Sequence, residues 1–206
     1  MNLTRIACSL ALLTLVAART AASQNIGDDG GTLDVASMPV MSNGKLTGCQ
    51  LTFSAIIRDY TYRQGAFLGV SGGVGLMNTQ QKLGATVKIV TTSLDQSGKL
   101  APSPPSRAYL IGANYATNLD SLVIAAASDQ PGGLFSIYQV EPTIGILLDA
   151  LKSKKLVFAF NQNGGGTDIQ LPIELDIAST DTNGVQVRSD KTTQDFAACV
   201  LTLMKE

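Results

Sequence analysis

A serine in a glycine-rich segment is the first feature of this sequence that could do chemistry. Residues Gly69–Gly73 read Gly-Val-Ser-Gly-Gly and match the G-x-S-x-G pattern, in which a tight turn exposes a nucleophilic serine, here Ser71. Such a serine is normally activated by histidine, and the chain contains no histidine. We therefore interpret the segment as a glycine-rich strand or turn. The lack of imidazole also removes the commonest general base and a common metal ligand.

Other catalytic and binding patterns are equally incomplete. Ser42–Lys45 matches S-x-x-K, in which a lysine activates a serine, but the companion elements of that enzyme class are missing. The Asn43-Gly44 pair inside it is typical of a turn. The sequence has neither a phosphate-binding loop nor a complete dinucleotide fingerprint. It therefore predicts no catalytic residue, no cofactor and no metal.

Acidic residues leave one enzymatic alternative open, because carboxylates that are distant in sequence can converge in space. The chain has no tryptophan and is only 5% aromatic, which disfavours a glycosidase. The alternative is thus a histidine-independent hydrolase that uses carboxylates or Ser71. The acidic residues considered are Asp59, Asp95, Asp120, Asp129, Asp149 and Glu174.

The segment Arg58–Gln64 offers a possible contact patch for a partner. Tyr60 and Tyr62 are two residues apart and would face the same side of an extended segment. Arg58 and Arg63 flank them, and tyrosine and arginine are enriched at interfaces. The competing interpretation is an ordinary strand end with tyrosines at the rim of the core.

The N-terminal segment predicts export. Arg5 precedes the apolar run Ile6–Ala18, and small residues follow, so residues 1–23 have the layout of a signal peptide cleaved after Ala22 or Ser23. The apolar run is shorter than the ~20 residues that cross a bilayer. We expect a periplasmic or secreted protein with no integral membrane association after cleavage. Cleavage leaves 13 basic and 16 acidic residues, a net charge of −3 without a dense basic cluster, so no nucleic-acid partner is expected.

Two cysteines remain after the signal peptide, Cys49 and Cys199. Exported proteins meet an oxidising environment, so a Cys49–Cys199 disulfide is predicted. The alternative is a pair of unpaired buried thiols.

Turn signals and alternating apolar residues predict the strands and helices that would position the candidate site residues and the two cysteines. In the segment Cys49–Arg58, and again in Asp168–Asp176, apolar and polar residues alternate as in half-buried strands. The short apolar run Leu122–Ala127 is a further candidate strand. The fold predicted is mainly β, an antiparallel sandwich or barrel of about eight or nine strands with two short helices near 143–153 and 193–204. Residues 46–206 are assigned to a single domain, preceded by a flexible or extended lead-in at 24–45.

Two C-terminal segments resemble a known family. Ile144–Leu175 combines a short helix ending in lysines, a strand, an Asn/Gln/Gly turn and an alternating strand, and Phe196–Leu203 is a cysteine-containing helix. Together they resemble the invasion-associated locus B family of small exported bacterial proteins. The resemblance implies a β-rich envelope protein with a non-enzymatic role in host or envelope interaction, and it carries over no catalytic residue.

The leading functional prediction is therefore a non-enzymatic, exported β-sandwich protein of bacterial origin that binds a macromolecular partner or a small ligand. Two alternatives stay open: the hydrolase described above, and a periplasmic carrier of an apolar ligand.

Overall fold

The structure is a computed structural model that describes residues 31–79, 82–94, 99–114, 116–181 and 183–205. The predicted signal peptide and the first part of the lead-in, residues 24–30, lie outside this range. The described chain forms twelve strands, two α-helices and a short 3₁₀ helix, Leu119–Ser121. The strands and helices in chain order are β1 (Thr32–Ser42), β2 (Lys45–Asp59), β3 (Ala66–Thr79), β4 (Lys82–Leu94), β5 (Leu100–Pro102), β6 (Ala108–Ile111), β7 (Leu122–Ala127), β8 (Gly133–Tyr138), α1 (Val140–Ser153), β9 (Lys155–Phe160), β10 (Ile169–Glu174), β11 (Ile177–Thr180), β12 (Gln186–Arg188) and α2 (Lys191–Leu203).

The strands form antiparallel sheets, as predicted. The largest has seven strands in the order β1-β2-β3-β4-β8-β7, with β5 paired to the end of β4, and the others are β10-β9-β6 and the hairpin β11-β12. The described strands do not form a closed barrel, and their arrangement is sandwich-like. The count exceeds the eight or nine strands expected, since β5, β11 and β12 are only three or four residues long and β1 lies within the predicted lead-in.

Strand β1 joins the sheet through a tight hairpin. Asn43 and Gly44, at φ 50° and 77°, form the two-residue turn between β1 and β2, and Ser42 pairs with Lys45 across it. The S-x-x-K match at Ser42–Lys45 is thus the turn of a β-hairpin. From Thr32 onward the residues assigned to the lead-in belong to the large sheet.

The core lies between the large sheet and the three-stranded sheet. The predicted inward face of β2, from Cys49 to Ile57, is buried, and the ring of Phe53 lies 4.7 Å from that of Phe158 on β9. Pro172 lies on β10, an edge strand of the small sheet, which agrees with its inability to donate to a ladder.

Both predicted helices are present and lie near their expected bounds. The disulfide joins Cys49 on β2 to Cys199 on α2, so α2 is covalently held against the large sheet. Phe196, on α2, is fully buried. On α1 the buried apolar side chains are Ile146, Leu147 and Ala150, whereas Leu148 is exposed.

Candidate functional site: the β7 edge

Strand β7 ends the large sheet and consists only of apolar residues. Its sequence is Leu-Val-Ile-Ala-Ala-Ala, and all six residues are exposed, with Val123 at 64% and Ile124 at 53%. Side chains on a strand alternate between the two faces of a sheet, so exposure of every residue means that neither face of β7 is covered by the described part of the chain. We call Leu122–Ala127 the β7 edge.

The β7 edge pairs on one side only, with β8. Ile124 lies opposite Ile137, Ala125 opposite Ser136 and Ala127 opposite Leu134, with a register shift between Leu122 and Ile124. Among the described strands β8 is the sole neighbour of β7, so the outer row of β7 backbone N–H and C=O groups faces away from the sheet. A strand edge of this kind is a template for another strand.

The apolar surface continues from the edge onto one face of β8. Phe135 and Ile137 share that face with Ala126 and Ile124, which lie directly opposite them. Both β8 side chains are half-buried. An added strand would therefore meet apolar side chains beside the edge as well as the edge itself.

A buried asparagine fixes the beginning of β7. The Asn118 side chain, with no exposed surface, accepts a hydrogen bond from the Leu110 N–H at 2.8 Å and donates to the Thr143 hydroxyl at 3.1 Å. The Asn118 carbonyl accepts both the backbone N–H and the hydroxyl of Ser121, immediately before β7. Asn118 thereby ties the start of β7 to β6 and α1.

The hairpin loop between β7 and β8 fixes the other end. Gly132 has φ 82°, and a Cβ there would collide with the Thr91 carbonyl, so this turn requires glycine. The Thr91 N–H donates to the Gly132 carbonyl at 3.0 Å, and Lys88 pairs with Asp129 at 2.8 Å. The hydrogen bond from Lys88 lowers the pKa of the Asp129 carboxyl, which stays charged beside the edge.

Strand β8 in turn joins the two sheets. The Tyr138 hydroxyl donates to the Ala108 carbonyl on β6. Burial raises the pKa of Tyr138 to about 12, so the hydroxyl keeps its proton and remains a donor at neutral pH. The β7 edge is therefore exposed, but hydrogen bonds hold both of its ends and the adjacent strand β8 in place.

The predicted contact patch spans the end of β2, which contains Arg58, and the turn that follows it, which contains Tyr60, Tyr62 and Arg63. Tyr60 is 59% exposed, whereas Tyr62 is partly buried and its hydroxyl donates to the Thr167 carbonyl. The Arg58 guanidinium lies 4.4 Å from the centre of the Phe67 ring. Tyr62 thus holds two loops together, and Arg63 follows it in the same turn; whether these residues contact a partner stays a prediction.

Four carboxylates of the hydrolase alternative, Asp59, Asp129, Asp149 and Glu174, have separate partners. Asp59 is fully buried, accepts the N–H groups of Thr61 and Tyr62 and receives a 2.6 Å hydrogen bond from Gln162. Glu174 pairs with Arg188, and Asp149 lies 3.5 Å from Asn114. Asp95 lies outside the described residues. No group of three or more cysteine, aspartate or glutamate side chains that could hold a metal occurs within the described ranges.

Ser71 lies in the middle of β3, opposite Ser54 on β2 and Val90 on β4. The G-x-S-x-G match is therefore strand and not a nucleophile turn, and a Cβ at Gly72 or Gly73 would collide with a backbone carbonyl of a neighbouring strand. The gap between the sheets, lined by Leu51, Phe53, Phe158 and neighbouring side chains, has no void for a water molecule. It gives no support to an apolar ligand held there.

The apolar run Leu122–Ala127 predicts the bounds of β7 but not its exposure, and no sequence pattern marks Asn118 as a residue of the site. A short apolar run between turn signals is typical of a buried strand, and nothing local marks an asparagine that will be buried by distant segments. Comparisons with protein families, with curated proteins and with solved structures found no match. No described helix is long and apolar enough to cross a membrane. The family resemblance and the export signal stay predictions.

Proposed function

We propose that this protein is a non-enzymatic, exported binding protein that takes up an extended, uncharged polypeptide segment as an added strand along the β7 edge. The observation that carries the proposal is a sheet edge of six exposed apolar residues, with no charge and no proline, on a rigid mount. In strand addition the main chain supplies hydrogen bonds, and the side chains beside the edge select the sequence.

The chemistry of the edge defines the segment that fits. Proteins usually protect sheet edges with lysine, proline or a covering loop, because unpaired strands otherwise associate. The β7 edge has only the register shift after Leu122. A charged side chain laid against Val123 or Ile124 would lose hydration without gaining a partner. The favoured segment is therefore extended, β-branched or otherwise apolar, and uncharged over about six residues.

Binding of a synthetic probe tests this proposal. The probe is a fluorescent peptide with a Val-Thr-Val-Thr-Val centre and terminal lysines for solubility, titrated with the protein and followed by anisotropy. We expect saturable binding that weakens at least tenfold, or about 1.4 kcal/mol, in Val123→Lys. The control is Val187→Lys on β12, where the valine is 55% exposed against 64% for Val123.

A second probe separates strand addition from unspecific adhesion. Methylating alternate backbone nitrogens of the peptide removes ladder donors without changing the side chains, so binding should be lost. Equal binding of the methylated and unmethylated peptides would overturn the proposal. So would a saturable hydrolytic activity that disappears in Ser71→Ala.

A further inference from the structure

The β7 edge has a sequence asymmetry that strand addition alone does not explain. The large side chains of Leu122, Val123 and Ile124 come first, and three alanines, 125–127, follow. A strand paired antiparallel with a copy of itself places its first half opposite its second half. Large side chains then face small ones, the arrangement that packs facing positions without voids or clashes.

We infer that the segment bound at the β7 edge is β7 of a second copy of this chain, in an antiparallel pair centred on Ala125. This inference rests on the proposed use of the edge for strand addition, and it names the occupant. With the two-fold axis at Ala125, Ile124 lies opposite Ala126 of the other copy and Val123 opposite Ala127. Ile124 and Ala126 lie on the same face of β7, the face of Ile137 and Phe135, so their pairing matches the alternation of an antiparallel ladder, and Val123 lies at the register shift.

The N-terminal segment of the same chain cannot replace the second copy after signal cleavage. Residues 24–30 lead into β1, which lies at the far end of the sheet, five inter-strand steps from β7. Five steps of about 4.8 Å amount to about 24 Å. Seven residues extend at most about 24 Å. That length is used up in reaching β7, and none remains to pair along it.

The area of contact sets the strength of the pair. Joining two β7 edges buries roughly 300–400 Å² on each copy, about half of the ~800 Å² per partner found in stable complexes. The result is a reversible, concentration-dependent dimer with a continuous sheet across the two-fold axis. A permanent dimer would need more surface than the edge and the adjoining face of β8 provide.

Charge reversal at the two-fold axis tests the inference. A residue at position 125 meets its own copy, so Ala125→Lys and Ala125→Glu each place like charges opposite one another. Ala125 is exposed, and either side chain can extend into solvent in the monomer. Sedimentation equilibrium of the mature protein should show a mass that rises toward twice the monomer mass with concentration. Each variant should dissociate at least tenfold more readily.

Mixing the two variants gives the decisive result. An equimolar mixture of Ala125→Lys and Ala125→Glu should restore association, because opposite charges then meet at the axis, whereas Val187→Lys should associate as the unmodified chain does. A wild-type protein that stays monomeric at millimolar concentration, or a mixture that stays monomeric, would overturn the second-copy assignment. If the Val-Thr peptide still binds at Val123, strand addition stands and only its occupant is wrong.

Discussion

At one end of the seven-stranded sheet the outward backbone groups at Leu33 and Val35, in the first half of β1, have partners, whereas at the other end β7 has none beyond β8 among the described residues. The Leu33 N–H donates to the Thr180 hydroxyl at 3.2 Å, and that hydroxyl donates to the Leu33 carbonyl at 2.9 Å. The Val35 carbonyl accepts from Thr192 on α2. Since outward-facing residues recur every second position, Pro39 lies in the same row and has no N–H to offer.

The two edges therefore differ in side-chain chemistry and not in backbone form. Both are strands with a register shift, at Val40/Met41 in β1 and at Leu122/Ile124 in β7. The β1 edge has in addition a threonine cap, a proline and a disulfide-linked helix, all of which oppose pairing with another chain. Side chains and α2 thus protect the β1 edge, whereas no described residue covers the β7 edge. This difference is why the proposed binding surface is placed at β7.

Loss of the disulfide should break the contrast most strongly, because it frees the helix that covers β1. The Cys49–Cys199 bridge closes a loop with a sequence separation of 150, and removing a native disulfide typically costs about 2–5 kcal/mol. Cys49→Ala combined with Cys199→Ala should lower the free energy of unfolding by that amount, measured by urea denaturation.

Hydrogen exchange of the same double variant should locate the change. Amides of β1 and α2 should exchange faster than in the unmodified protein, while those of β7 and β8 keep their rates. Equal acceleration at both edges would show that α2 supports the whole sheet rather than its β1 end.

Removing the threonine cap should have a smaller effect. Thr180→Val keeps the shape of the side chain but leaves the Leu33 N–H and carbonyl without their partner, and an unsatisfied buried backbone group costs about 1–3 kcal/mol. Leu33 itself is 1% exposed, so water does not readily replace the hydroxyl. Thermal and urea unfolding should both show the loss, and Thr180→Ser, which keeps the hydroxyl, should restore most of it.

The sequence predicts the strand at one edge, β7, better than the strand at the other edge, β1. Turn residues on both sides of Leu122–Ala127 mark its ends, so the bounds of β7 were predicted correctly. Strand β1 follows a glycine-rich segment, and its place in the sheet depends on β2 and on α2, about 150 residues away. Local pattern cannot supply such distant partners, so the sequence assigns β1 to the flexible or extended lead-in at residues 24–45.

At the candidate site, too, local sequence does not show which residues the fold buries and which it exposes. A run of six apolar residues predicts a buried strand, and only the topology reveals that β7 lies at the end of the sheet. Conversely, Asn118, Gln162 and Asp59 are polar residues that folding buries, because loops distant in sequence supply their hydrogen-bond partners. The disulfide is predictable because only two cysteines, Cys49 and Cys199, follow the predicted signal peptide, which leaves a single pairing.

The smallest change in the free energy of unfolding is expected for Val123→Thr, and it gives the most direct test of whether the β7 edge is exposed. Val123→Thr replaces a methyl group by a hydroxyl at a residue that is 64% exposed. Where the hydroxyl can reach water, the free energy of unfolding should change by less than about 0.5 kcal/mol, as for surface substitutions generally. The measurement is made at a concentration low enough to keep the protein monomeric, so that association does not contribute.

A loss of 1 kcal/mol or more in Val123→Thr would mean that another part of the chain covers the β7 edge in the monomer, because hydroxyl burial without a partner costs about 1–3 kcal/mol. The matched substitution Val35→Thr, at a residue that is 5% exposed on β1, provides that scale in the same protein. Similar losses at the two valines would remove the difference between the edges, and with it the basis for binding at β7. A loss at Val35 alone would leave β7 as the end of the sheet that is free to accept a strand.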